Sequence, residues 1–141
     1  MQLFPSTREG ARPIAIAVVA AGGAIGATGR WAIAELFASS SASWGWPTLI
    51  ANIVGSLAIG IAARRLRPAT RSWEFTVTGV LGGFTTFSAF AVAANDLVDA
   101  GRDGLAVAYV AVTLLSGIGA TCVALSWTTT RPGRSAEVEA R

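Results

Sequence analysis

Gly79-Val80-Leu81-Gly82-Gly83-Phe84-Thr85-Thr86-Phe87-Ser88-Ala89-Phe90 decides how the chain folds. The stretch lies inside an apolar run from Phe75 to Val98. At about 1.5 Å of rise per residue, a helix of that length crosses a bilayer. The centre of the run is a poor helix former, because three glycines and two adjacent threonines cluster there. The composition therefore predicts a spanning helix that breaks near its middle, over Gly82–Thr85. Backbone groups freed in hydrocarbon cost several kcal/mol, roughly, unless protein, water or an ion satisfies them. Membrane transport proteins place ion sites at such breaks. Phe84, Phe87 and Phe90 follow at intervals of three, with Ser88 between the last two. Three rings on one stripe are ordinarily packing; the adjoining break makes them candidates for lining a path.

Outward from this stretch, three more apolar runs appear. The four spans are 14–37, 46–63, 75–98 and 105–127, between polar tails at 1–13 and 128–141. The whole chain is 52% hydrophobic and 13% charged, with a mean hydropathy of +0.55. Soluble domains carry about 25% charged residues, so the chain reads as an all-α integral membrane protein in the lipid bilayer. Trp44, Trp46 and Trp73 sit where an interfacial belt is expected, and Pro47 suits a helix start. Gly22 and Gly26 form a small-x-x-x-small pair that permits close helix approach. They do not have the spacing of a dinucleotide loop, and no strand precedes them.

The residue inventory excludes several chemistries. With no histidine and a single cysteine, one chain can build neither a His/Cys metal site nor a disulfide. Cys122, in an apolar run, reads as a small packed residue. No nucleophile–base pair or nucleotide loop is visible, so no enzyme is expected. All 11 basic residues are arginines, and they mostly flank the spans rather than forming a nucleic-acid face. Four spans put both tails and the 64–74 connector on one side, with Arg8, Arg12, Arg64, Arg65, Arg67, Arg71, Arg131, Arg134 and Arg141. The opposite loops hold only Arg102. The positive-inside rule then predicts cytoplasmic termini.

Gly82-Gly83-Phe84-Thr85-Thr86-Phe87-Ser88-Ala89-Phe90 resembles the Gly-Gly-x-Thr-Thr-Phe-Ser-Thr-Phe signature of the Fluc/CrcB fluoride channels. Gly22-Gly23-Ala24-Ile25-Gly26 with Arg30-Trp31, and Asn52-Ile53-Val54-Gly55 with Gly60, agree in order and spacing. The resemblance implies four transmembrane helices, the third broken at mid-membrane, assembled as an antiparallel dual-topology dimer with two pores. It implies a fluoride-specific channel in a prokaryotic cell membrane, through which cytoplasmic fluoride leaves down its gradient. It also implies one structural, untransported sodium ion at the dimer centre, held by the carbonyls of Gly82 and Thr85.

Individual residues carry two readings each. Asn52, the one strongly polar residue inside the second span, is either interhelical glue or an N–H donor to an anion. The resemblance favours the donor, and it makes Phe87 and Phe90 rings that turn positive edges to the ion, with Ser88 beside them. Tyr109, Thr113, Gly117 and Thr121 recur every four residues. That stripe either bonds its own backbone or serves as the polar track the family has here. Gly117 departs from the track, where a hydroxyl is common. Ala93 stands where relatives often carry glutamate, and Ala89 where they carry threonine. Arg30 is either a snorkelling or Glu35-paired side chain or, by resemblance, the positive vestibule. Two alternatives to the channel are a small drug/proton exporter and a non-conducting partner subunit. The exporter would need a titratable carboxylate in the membrane, and Glu35 and Glu74 both lie near span ends. The arginine asymmetry conflicts with free insertion in both orientations. The second chain of the dimer is therefore expected to be either another copy or an oppositely oriented paralogue.

Overall fold

The computed structural model describes residues 11–37 and 44–127. Of the tail expected at 1–13, residues 1–10 lie outside the described residues, while 11–13 belong to the first helix; the serine-rich loop at 39–43 and the tail at 128–141 lie wholly outside them. Among the described residues all regular secondary structure is helical, and four helical segments are long and apolar enough to cross a membrane. The first is α1 (Ala11–Leu36) and the second α2 (Trp46–Arg65). The third runs as α3 (Arg71–Trp73), a π-helical stretch Glu74–Leu81, α4 (Gly82–Phe84) and α5 (Phe87–Asp99). The fourth is α6 (Asp103–Trp127). Each end falls within four residues of the range expected from apolar run length.

Local chemistry sets several of these boundaries. Pro47 lies in the first turn of α2, where its missing N–H costs nothing. Gly45, before that turn, has φ +66°, and a Cβ there would stand 2.9 Å from the Ala93 Cβ and 3.0 Å from the Tyr109 hydroxyl. Both the backbone angle and the space call for glycine. The Thr70 hydroxyl caps α3 by accepting from the Trp73 N–H at 3.3 Å.

Packing joins the helices as two parallel pairs. α1 lies along the π-helical stretch and α4, while α2 lies along α6. In the first pair two glycine motifs face each other, Gly22-x-x-x-Gly26 on α1 and Gly79-x-x-x-Gly83 on the third span. The Gly79 Cα stands 3.0 Å from where a Gly22 Cβ would be. On the other side, α5 and α6 meet around a small core of Leu49, Phe90, Leu97, Ala106 and Tyr109. Many large apolar side chains point outward, among them Ile16, Val107, Leu115, Ile118 and Trp127. An apolar exterior of this kind is what a lipid solvent requires.

The third span is interrupted, but not where glycine propensity places the break. Gly82 is helical at φ −65°, ψ −35°, and α4 continues through Phe84. The backbone turns extended at Thr85 (φ −79°, ψ 153°) and Thr86 (φ −149°, ψ 125°). Glycines here serve close approach to α1 instead of breaking the helix. The tertiary seam offsets their poor propensity.

Candidate functional site

The break at Thr85–Thr86 is held by side chains from two other helices. Asn52, on α2, accepts from the Thr86 N–H at 2.9 Å and donates from Nδ2 to the Thr86 carbonyl at 3.1 Å. One amide thus replaces both hydrogen bonds that a continuing helix would have made. Each is worth about 1 kcal/mol net in water, and leaving the groups bare in an apolar medium costs more. On the α4 side, Leu81 O accepts from Thr85 N at 3.0 Å and from Thr85 Oγ1 at 2.9 Å. Arg30 Nε, on α1, donates to the Gly83 carbonyl at 3.3 Å. A cation at a helix C-terminus is favourable there, because the carbonyl ends are negative. On the other side of the break, Thr86 caps α5: its hydroxyl accepts from Ala89 N–H at 3.2 Å.

Beside the break lies a groove of about 700 Å³, open along one side, between α2, the break and α6. Of the residues singled out by sequence, Asn52, Gly82, Thr85, Phe87, Phe90, Thr113 and Thr121 line it. The groove also takes in Ser56 and Thr86, which sequence reasoning misses. Thr86 carries a signal in its own motif. Ser56 carries one too, four residues after Asn52 and so on the same helical face.

Three predicted residues lie elsewhere. Tyr109 is fully buried in the core, stacked on Phe90 with ring centroids 5.6 Å apart, and its hydroxyl has no partner among the described residues. Ser88 is exposed beside the cap, its hydroxyl 3.1 Å from that of Thr86. Arg30 lies outside the groove lining and donates its Nε–H to the Gly83 carbonyl. Cys122 corrects the packing reading: it is exposed and lines the groove. Phe84 does pack, its ring 3.5 Å from where Cβ atoms on Gly29 and Gly55 would stand.

The two phenylalanines differ in exposure. Phe90 is 9% exposed and Phe87 78%, although their centroids are 5.6 Å apart. With the stacked Tyr109, and Trp44 edge-on to it at 5.9 Å, they form a continuous run of rings from the break to the start of α2. The α6 stripe bonds its own backbone. Thr113 Oγ1 donates to Tyr109 O at 2.7 Å, and Thr121 Oγ1 to Gly117 O at 3.1 Å. Such back-bonding satisfies a hydroxyl within an apolar span.

Comparison with known proteins identifies the family of the chain. The family described as CrcB-like protein, Camphor Resistance (CrcB), matches residues 17–125, which include the break, the groove and most of each of the four spans. A protein of Streptomyces avermitilis named fluoride-specific ion channel FluC 2 is 44% identical over 77% of this chain and 71% of its own. The fluoride-specific ion channel FluC of Agrobacterium fabrum is 42% identical over 80% of this chain and 94% of its own. FluC 1 of Rhodococcus jostii is 44% identical over 73% and 76%. These relatives are named as ion channels, not enzymes. With its family match spanning the four helices and relatives at this identity over most of its length, the chain belongs to the CrcB family.

Proposed function

We propose that this protein is a fluoride-specific channel through which cytoplasmic fluoride leaves the cell down its electrochemical gradient. One observation carries the reading: Asn52, Phe87, Phe90 and the break converge on a single groove in a membrane-spanning chain. A small anion stripped of water needs N–H and O–H donors and positive ring edges, weak enough singly to let it leave. Asn52 keeps one N–H beyond the one given to Thr86, and Phe87 turns an exposed ring outward. Relatives at about 40% identity bear the same functional name. Expression in a fluoride-sensitive bacterium lacking its own exporter tests the proposal. Restored growth in millimolar-range fluoride supports it, and growth no better than the empty vector refutes it.

The groove's open side and the exposed Phe87 favour assembly across that face with a second chain, either another copy or a paralogue inserted in the opposite sense. The arginine-rich side is proposed to be cytoplasmic, with both termini. Equal labelling of the termini from both sides of the membrane would refute a fixed orientation.

A structural sodium ion belongs to this reading. Among the described residues no group of His, Cys, Asp and Glu could hold a metal, so a cation here would rely on backbone oxygens. The end of α4 offers them. Gly82 and Thr85, both lining the groove, would hold sodium through their carbonyls, and a second chain across a twofold axis would double the set. When bound, the ion would compensate carbonyl dipoles that no helix turn satisfies. Thr85→Ala is expected to be mild, since it removes only one hydroxyl bond. Thr85→Pro is expected to be severe, because it deletes the N–H given to Leu81 O. Replacing sodium exhaustively by a bulky organic cation should abolish fluoride flux. Unchanged flux would remove sodium from the account.

A further inference from the structure

Five hydroxyl-bearing residues line the groove: Ser56, Thr85, Thr86, Thr113 and Thr121. An anion can use a hydroxyl only as a donor, so the decisive question is where each proton already goes. Thr85 Oγ1 donates to Leu81 O, and Thr113 Oγ1 to Tyr109 O. Thr121 Oγ1 lies within reach of two carbonyls, Gly117 O at 3.1 Å and Ser56 O at 3.2 Å. The Thr86 hydroxyl accepts from Ala89 N–H and shares a hydrogen bond with Ser88. The Ser56 hydroxyl makes no hydrogen bond among the described residues.

Ser56 also stands in the right place. It is one helical turn beyond Asn52 on α2, so the spare N–H of Asn52 and the free O–H of Ser56 share one face. Across from it on α6 is Gly117, where a Cβ would come within 3.3 Å of Ser56 Oγ. The glycine leaves room for the serine hydroxyl at the level where the α6 stripe lacks one of its own. Polar lining thus passes from α6 to α2 at this point. On the α6 side the threonine protons are held by backbone carbonyls, while α2 has two uncommitted donors.

We propose that Ser56 is a further anion-contacting residue of the groove, donating its hydroxyl proton to fluoride as the ion passes between α2 and α6. The proposal rests on the fluoride-channel reading. A hydrogen bond to a charged partner in an apolar site is worth enough that its loss should lower flux roughly tenfold or more. The experiment measures fluoride efflux from proteoliposomes, with assembly checked by size exclusion. Ser56→Ala is expected to show that loss. Ser56→Cys, which keeps the shape and weakens the donor, should lose flux as well, and it covers the case in which the alanine variant does not assemble. Gly117→Ala, which crowds the hydroxyl, should lose less. The double variant Ser56→Ala/Gly117→Ser returns a hydroxyl from the opposite helix and should regain part of the flux, which a purely structural role for Ser56 would not allow. Wild-type flux from assembled Ser56→Ala or Ser56→Cys, or no gain in the double variant, overturns the role of Ser56 and leaves the channel reading standing. A wild-type protein that passes no fluoride overturns both.

Discussion

Gly26→Ala is expected to destroy the folded protein. A Cβ at Gly26 would run into the Val80 carbonyl and lie 2.8 Å from the Phe84 N. Both obstacles are backbone, so no side-chain rotation relieves them, and α1 would have to move away from the third span. Gly83 is equally confined, because its Cβ would strike the Gly23 carbonyl. Overpacking of this kind costs roughly 3 kcal/mol or more, at the upper end of what inserted methyl groups cost. Displacing α1 would also withdraw Arg30 from the Gly83 carbonyl and loosen the end of α4. Gly119, with nothing within 4 Å of its Cβ position, is the control. Gly119→Ala should elute from size exclusion and melt like the wild type, while Gly26→Ala should aggregate or fail to assemble. Equal behaviour of the two would contradict the glycine seam.

Phe90→Ile is expected to remove most fluoride flux while leaving assembly intact. Phe90 is 9% exposed and is the ring that joins the exposed Phe87 to the buried Tyr109, each 5.6 Å away. Isoleucine fills much of the same volume, so the cost to the core is modest, about 1 kcal/mol for each of the two ring pairings it removes. An aliphatic side chain has no quadrupole to turn toward an anion. Flux should therefore fall far more than stability does. Wild-type flux from a correctly assembled Phe90→Ile protein would show that the ring takes no part in conduction.

How much of this is legible in the sequence differs from element to element. Four spans are readable because apolar run length and span length are the same quantity in a bilayer. The broken third span is also readable, but for an incomplete reason. Propensity points to Gly82 and Gly83, yet those residues are helical, and the extended backbone begins at Thr85. Propensity is a local quantity, and the packing of Gly79-x-x-x-Gly83 against α1 outweighs it. The matching motif on α1 is legible as a packing seam. Its partner is masked, because the same glycines read equally well as the break. Asn52 is open to two readings, and the structure gives its amide to Thr86 while leaving one N–H over. The α6 stripe is visible as a period of four, but whether a threonine proton is free depends on rotamer and backbone, which spacing does not encode. Ser56 escapes notice for the opposite reason. A serine beside leucine and glycine in a membrane helix looks unremarkable until the groove and Gly117 are seen across from it.

The central claim is that the groove beside the Thr85–Thr86 break passes fluoride selectively. Its most direct test is efflux from proteoliposomes holding the purified protein, loaded separately with potassium fluoride and potassium chloride. Release begins on addition of a potassium ionophore and is followed with ion-selective electrodes in sodium-containing buffer. Fast fluoride release with chloride retained at the level of protein-free vesicles is the predicted result. Fluoride release no faster than from empty vesicles, or equal release of both ions, would contradict it.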